Sequence, residues 1–266
     1  HQDMAKLDVD SKSVTARALA VLDAFDSTHR HQTLAAIARR SKLPLTTTHR
    51  FVNQLVEADA LIRCADGSYE IGSKLWRLGL LASVHADLRE LSLPYMEDIF
   101  QLGVDAVQIG VLDGVRCLVI DRIAGSRSIT VLSRAGARLP LHASGIGKVL
   151  LANGSTELQD AVLSSLERYT ELTITDPKEL RKQLVQIKQQ GFAATKAELA
   201  DAAISIGVPL TGYGGRVIGA LGIVIPAKTK DTSHLVPILK ITATALSKKL
   251  AAAGITDPAG FGPNGR

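Results

Sequence analysis

The chain has 266 residues, 46% of them hydrophobic and 21% charged, so it is long enough for two ordinary globular domains with real cores. A formal charge of +5 permits nucleic-acid binding without requiring it. Two distant cysteines, Cys64 and Cys117, indicate neither a disulfide framework nor a four-ligand zinc site, and neither a signal peptide nor an apolar run of membrane-spanning length is seen, so a cytoplasmic protein is expected.

Residues 1–12 read as a flexible segment. Ser13 to Phe25 then carries Val14, Ala18, Leu19, Val21, Leu22 and Phe25 at helical spacing, with Ser13 as its N-cap and Arg17 on the polar side. A second helix is expected from Leu34 to Arg40 behind Thr33, with Leu34, Ile37 and Ala38 inward. Ser41 to Pro44 forms a turn, because the ring of Pro44 disfavours helix at Leu43. A third helix follows over roughly Thr46 to Ala58. Its first-turn hydroxyls, Thr46, Thr47 and Thr48, can cap amides or meet a phosphate. Phe51, Val52, Leu55 and Val56 make its buried side, while Thr46, Arg50 and Asn53 share the opposite face at spacings of four and three. No acidic residue occurs between Asp26 and Glu57, where Arg30, Arg39, Arg40, Lys42 and Arg50 are basic. Hydroxyls, an amide and an arginine on one acid-free face suit a DNA groove.

Leu61-Ile62-Arg63 and Ser68 to Ile71 flank Ala65-Asp66-Gly67, a hairpin signal that makes the first domain, residues 13–72, a winged helix-turn-helix. Arg63 and Ser68 are its expected wing contacts to phosphate. A linker helix is expected over 73–92, capped at Ser73, with Leu75, Leu78, Leu81 and Ala82 as an apolar stripe for self-association. Helix continues over Leu88 to Leu102 into a second domain at 93–254. There, AVQIGVLDGVRCLVIDRI reads as a hairpin about Asp113-Gly114, and Ser128 to Ser133 as another strand. Leu139 to Asn153 is a loop leading into a short helix; Thr156 to Arg168 and Pro177 to Gln190 are amphipathic helices capped by Ser155 and Asp176. Gly191 to Ala194 leads into a last hairpin, Ala203 to Thr211 and Val217 to Ile225 about Gly212 to Gly215. Ser233 to Ala253 closes the domain, before a disordered tail at 255–266. The order predicts an α+β protein whose second domain is an antiparallel sheet flanked by helices.

With these pieces in order, the chain resembles the IclR family of bacterial transcriptional regulators. The resemblance rests on SVTARALAVLDAF, TLAAIARRSKLPLTTTHRFVNQLVEADAL and YEIGSKLWRLG in the first domain, and on LPLHASGIGKVLLA, GFAATKAELADAAISIGVPL and GGRVIGALGIVIP in the second. It implies a winged helix-turn-helix, a helical linker and a GAF-like effector domain, in dimers or tetramers that regulate catabolic operons, most simply as a repressor binding double-stranded palindromic DNA. Thr46, Thr47, His49 and Arg50 then fall at the start of the recognition helix, with Arg17 and Thr33 at the sugar-phosphate backbone. Leu45 stands where the family often has lysine. The resemblance also implies that the backbone at Gly145 and Ile146 receives a carboxylate, in an effector set completed by Val131, Ala143 and Ser144. Positions matching Thr195, Ser205, Gly222 and Val224 are polar in members that bind small acids. Here Gly222 and Val224 are expected to leave apolar room for an aromatic acid or derivative.

Other chemistry is weaker. His142-Ala143-Ser144 lacks a Gly-x-Ser-x-Gly elbow, so no catalytic residue is assigned, and Gly145-x-Gly147-Lys148 lacks the spacing of a phosphate loop. His29 and His31 have no neighbour in sequence to supply a third or fourth ligand, so no metal or other cofactor is expected. The competing reading, a small-molecule enzyme with an accessory helix-turn-helix, lacks a catalytic constellation.

Overall fold

The computed structural model describes residues 13–26, 28–81, 85–125 and 134–256. The chain divides into two compact units, residues 1–83 and 84–266.

In the first unit, α1 (Val14–Leu22), α2 (Leu34–Ser41) and α3 (Leu45–Glu57) bury Val21, Ile37, Phe51 and Val52 together with Leu61 and Tyr69 of the wing. Thr33 caps α2 by accepting from the Ala36 amide. Lys42, at a left-handed φ of 56°, ends it. Pro44 opens α3 at a position where its missing N–H costs nothing. The wing pairs β1 (Leu61–Arg63) with β2 (Tyr69–Ile71), and Gly67 at φ +83° makes the turn. Its second strand is also fastened to the α1–α2 loop, because Gln32 and Tyr69 exchange both backbone hydrogen bonds, at 3.0 and 2.8 Å. The run expected as one linker helix is two: α4 (Ser73–Leu80) in the first unit and α5 (Ala86–Phe100) in the second. His85, at a left-handed φ of 60°, separates them by starting α5 afresh. On α4, Trp76 and Leu78 are 66% and 53% exposed and Leu75 is half-buried, while Leu81, the C-cap, is 80% exposed, so most of the apolar stripe is uncovered.

The second unit is built on a six-stranded antiparallel sheet in the order β5-β4-β3-β8-β7-β6. Its strands are β3 (Ala106–Asp113), β4 (Arg116–Ala124), β5 (Arg138–Pro140), β6 (Ala193–Lys196), β7 (Ala203–Thr211) and β8 (Val217–Pro226). Helices cover both faces. Ile204, Ile206, Val208, Ile223 and Ile225 point to one side, against α5 and α9 (Leu235–Ala252). On the other side α6 (Gly145–Asn153), α7 (Thr156–Leu163) and α8 (Pro177–Gln190) enclose a second core. The fold is α+β, as the element order predicts. Some elements differ from the sequence reading: α1 stops at Leu22, three residues early. Helix α7 stops at Leu163, five residues early, and β5 and β6 are strands where only connections were expected. The expected strand at 128–133, residue Val131 within it, the segment 1–12 and most of the tail lie outside the described residues.

Candidate functional site

In the first unit, α3 turns Thr46, His49, Arg50 and Asn53 to solvent and half-buries Thr47. Asn53 Nδ2 lies 3.4 Å from His49 Nε2, and the Arg50 guanidinium sits 5.2 Å from the Phe51 ring centroid. Hydroxyl, imidazole, amide and guanidinium therefore share one exposed strip of a helix. That is the donor and acceptor set a major groove can be read with. Thr33 and Arg63 are exposed and Arg17 half-buried, on α2, the wing and α1.

Two expected contacts are corrected. Thr48 is fully buried and donates from its hydroxyl to the Pro44 carbonyl at 3.0 Å. It faces inward because residues 48, 51, 52 and 55 follow one another at helical spacing and share the packed side. Ser68 is 6% exposed, and its hydroxyl donates to Asp66 Oδ1 at 2.6 Å, which holds the wing turn and leaves it unavailable to a phosphate. Arg40 is likewise committed, donating to the Ala24 carbonyl and pairing with Asp26. Burial pushes the Asp26 carboxyl up, but hydrogen bonds from Thr28 and His29 outweigh it and hold the group well below the usual carboxylate range.

In the second unit a cleft opens between α6 and the sheet. It encloses about 390 Å³ of empty space, solvent at the mouth included. Register explains its floor. Thr195, Ser205, Val224 and Ala106 are successive cross-strand partners on β6, β7, β8 and β3, so they share one face, and Gln108 lies two residues along β3 on that same face. Ala143 and Ser144 bring the wall in from the approach to α6, and Leu199, Ala200 and Ala203 close the far side. Helix α6 begins here: Ser144 caps it by accepting from the Gly147 amide, and the amides of Gly145 and Ile146 are first-turn donors with no intrahelical acceptor.

The glycines allow this approach. A methyl on Gly145 would lie 2.8 Å from Ser205 Oγ, and one on Gly207 would lie 2.6 Å from the Gly145 carbonyl. Helix and sheet meet backbone to backbone, which sets the Ser205 hydroxyl beside the start of α6. Gly222 is corrected by the same packing. The space its missing side chain leaves is filled by Ile146 Cγ2, and Ile146 is itself fully buried, so neither gives room to a ligand.

Among the described residues two buried polar atoms in the cleft have no protein partner, Gln108 Oε1 and Ser205 Oγ. An unpaired buried acceptor or hydroxyl costs about 1–3 kcal/mol, which a ligand donor would relieve. Gln108 is a site residue that sequence reasoning missed. A single glutamine inside an otherwise apolar β-strand, AVQIGV, is the signal that marks it. Among the described residues no charged side chain lines the cleft. Lys148 on α6 is fully buried and binds both Glu198 oxygens, at 2.9 and 2.7 Å, and Gln183 Oε1 at 2.9 Å. Glu198 immediately precedes the cleft residues Leu199 and Ala200, and Thr173 donates to its carbonyl at 2.6 Å, so that wall is fixed. His142 and Ser144 are not a catalytic pair. His142 Nε2 lies 2.8 Å from the Glu167 carbonyl and Ser144 donates to the Pro140 carbonyl. Burial holds the imidazole pKa of His142 below its ordinary value.

Family models locate both halves. Residues 14–62 match the IclR helix-turn-helix domain, and residues 81–248 the C-terminal domain of bacterial transcriptional regulators of the IclR type. The chain belongs to the IclR family. It is similar to the Pca regulon regulatory protein of Pseudomonas putida, 30% identical over 220 residues, which cover 81% of this chain and 75% of that one. Similarity to the Bacillus subtilis regulator KipR is 28% over 193 residues, 72% of this chain and 77% of the other. Among solved structures, an IclR homologue from Microbacterium hydrocarbonoxydans complexed with 4-hydroxybenzoate is 35% identical. It superposes with a TM-score of 0.80, covering 90% of this chain and all of the other. This IclR-family chain is therefore a DNA-binding transcriptional regulator with an effector-binding domain, and not an enzyme. Among the described residues no helix is long and apolar enough to cross a membrane.

Proposed function

We propose that this regulator reads a palindromic operator as a cytoplasmic dimer or tetramer, and that an aromatic carboxylic acid or a derivative in the α6 cleft modulates its hold on the operator of a catabolic operon, most simply as a repressor. The cleft carries this reading. The start of α6, with Ser205 beside it, offers donors to a carboxylate without needing a cationic side chain. Apolar Leu139, Leu199 and Val224 suit a ring, and Gln108 Oε1 suits a hydroxyl or amine on that ring. The relative crystallised with 4-hydroxybenzoate supports the same ligand class. On the DNA side, Thr46, Thr47, His49, Arg50 and Asn53 enter the groove, while Arg17, Thr33 and Arg63 approach the backbone. The uncovered Trp76 and Leu78 of α4, with Leu81 at its C-cap, pack against a second copy. Calorimetry on the purified protein tests the ligand class. Binding of 4-hydroxybenzoate or a related aromatic acid, with glyoxylate and pyruvate at least tenfold weaker, is expected. Tight binding of the small keto acids with none of the aromatic ones overturns it.

A further inference from the structure

Sequence spacing leaves His31 without metal-binding neighbours, but the fold supplies two. His31, in the loop between α1 and α2, meets the wing 33 residues later. Its Nδ1 lies 3.8 Å from Cys64 Sγ and 3.6 Å from Glu70 Oε2, and all three donor atoms lie within 4.8 Å of one another. Zinc–ligand bonds of about 2.0–2.3 Å in a tetrahedron put neighbouring donors roughly 3.3–3.6 Å apart. These atoms are within a few tenths of an ångström of that spacing on two edges.

The donors are also positioned by backbone. The Gln32–Tyr69 pair exchanges both of its hydrogen bonds, and His31 and Glu70 are the residues next to that pair. Cys64 directly follows β1, and its amide donates to the Ser68 carbonyl at 2.8 Å. The Asp66 carboxylate, taken up by Ser68 within the turn, adds negative charge to the same hairpin. Imidazole, thiolate and carboxylate together form the mixed nitrogen, sulfur and oxygen set that zinc-class ions take.

We propose that His31, Cys64 and Glu70 bind one thiophilic divalent cation of the zinc class, which ties the wing to the loop preceding α2. Three protein ligands leave the fourth position to water, and with His31 exposed and Cys64 half-buried the ion can exchange. Thr33 lies two residues after His31 and Arg63 directly before Cys64, so coordination would fix the relative placement of two segments expected at the DNA backbone. Affinity for the ion should rise with pH, because the thiol and imidazole must lose protons to bind.

Cobalt(II) added to the reduced full-length protein tests the site. A thiolate-to-cobalt charge-transfer band of one-to-one stoichiometry is expected, absent in Cys64→Ser and requiring about tenfold or more cobalt in His31→Ala and Glu70→Gln. Independently of any variant, zinc should slow iodoacetamide labelling of Cys64 about tenfold or more, and EDTA should restore it. Cys117 is fully buried, so labelling reports one thiol. A missing band, a band that persists in Cys64→Ser, or a labelling rate indifferent to zinc overturns the proposal. Cobalt binding unchanged by His31→Ala and Glu70→Gln does so too, reducing it to a lone surface thiolate.

Discussion

Replacing Lys148 with Met should break the second unit where α6 holds the cleft wall. Lys148 is fully buried and Glu198 is 7% exposed, so neither charge is relieved by water. The intact pair contributes little on balance, since desolvation of two ions offsets their attraction. Losing one partner is different. Methionine keeps the apolar stem buried but leaves the Glu198 carboxylate without its cation, a loss of roughly 3–5 kcal/mol. At about 2–4 °C per kcal/mol for a domain of this size, the melting temperature should fall by roughly 6–20 °C. Far-ultraviolet circular dichroism in a urea series is the assay, because the only tryptophan, Trp76, lies in the first unit and its fluorescence would miss the event. The double variant Lys148→Met with Glu198→Leu removes the stranded charge and should recover most of the loss. A single-variant loss below about 1 kcal/mol, or a double variant as unstable as the single, refutes the stranded-charge reasoning.

Arg50→Ala should weaken operator binding by about 1–3 kcal/mol and relax specificity at the base it reads, with stability within about 0.5 kcal/mol; unchanged binding by the folded variant, in gel shifts on operator and altered DNA, contradicts the recognition-helix assignment. Thr48→Val should instead leave DNA affinity intact and cost about 1 kcal/mol in urea unfolding, through the lost bond to Pro44. Gln108→Leu should weaken 4-hydroxybenzoate about tenfold or more in calorimetry and leave benzoate nearly unchanged, because only the hydroxylated ring uses the Oε1 acceptor; an equal loss for both acids would place the hydroxyl elsewhere. Asp26, whose carboxyl is held below its ordinary value of 3.8, contributes stability that is present above that pH and lost as pH falls toward its lower folded value. Acid unfolding of the first unit should therefore be shallower in Asp26→Asn, and an unchanged acid limb removes Asp26 from the linkage.

Local signals were legible where local physics decides. Helix α8 starts and stops as read, since Asp176 caps it, Pro177 opens it and Gly191 takes the left-handed exit at φ 73°. The Asp66-Gly67 and Asp113-Gly114 turns gave both hairpins for the same reason. Strand β6 was hidden because Ala-Ala-Thr-Lys has a single β-branched residue and its pairing with β7 is not signalled locally. Residue type alone suggests Thr48 and Ser68 as contacts, whereas their orientation follows from helix phase and from the Asp66 side chain. Gly222 illustrates a further limit: a missing side chain creates room only if no neighbour enters, and Ile146 enters. Gln108, and the meeting of His31 with Cys64 and Glu70, depend on strand register and long-range pairing, which one sequence does not display.

Fluorescence anisotropy on DNA from the region flanking the protein's own gene, with and without saturating 4-hydroxybenzoate, tests ligand-conditional operator binding most directly. Coupling between the two sites predicts a change of about fivefold or more in operator dissociation constant, confined to specific DNA. An unchanged constant, with calorimetry showing the acid bound, would contradict it.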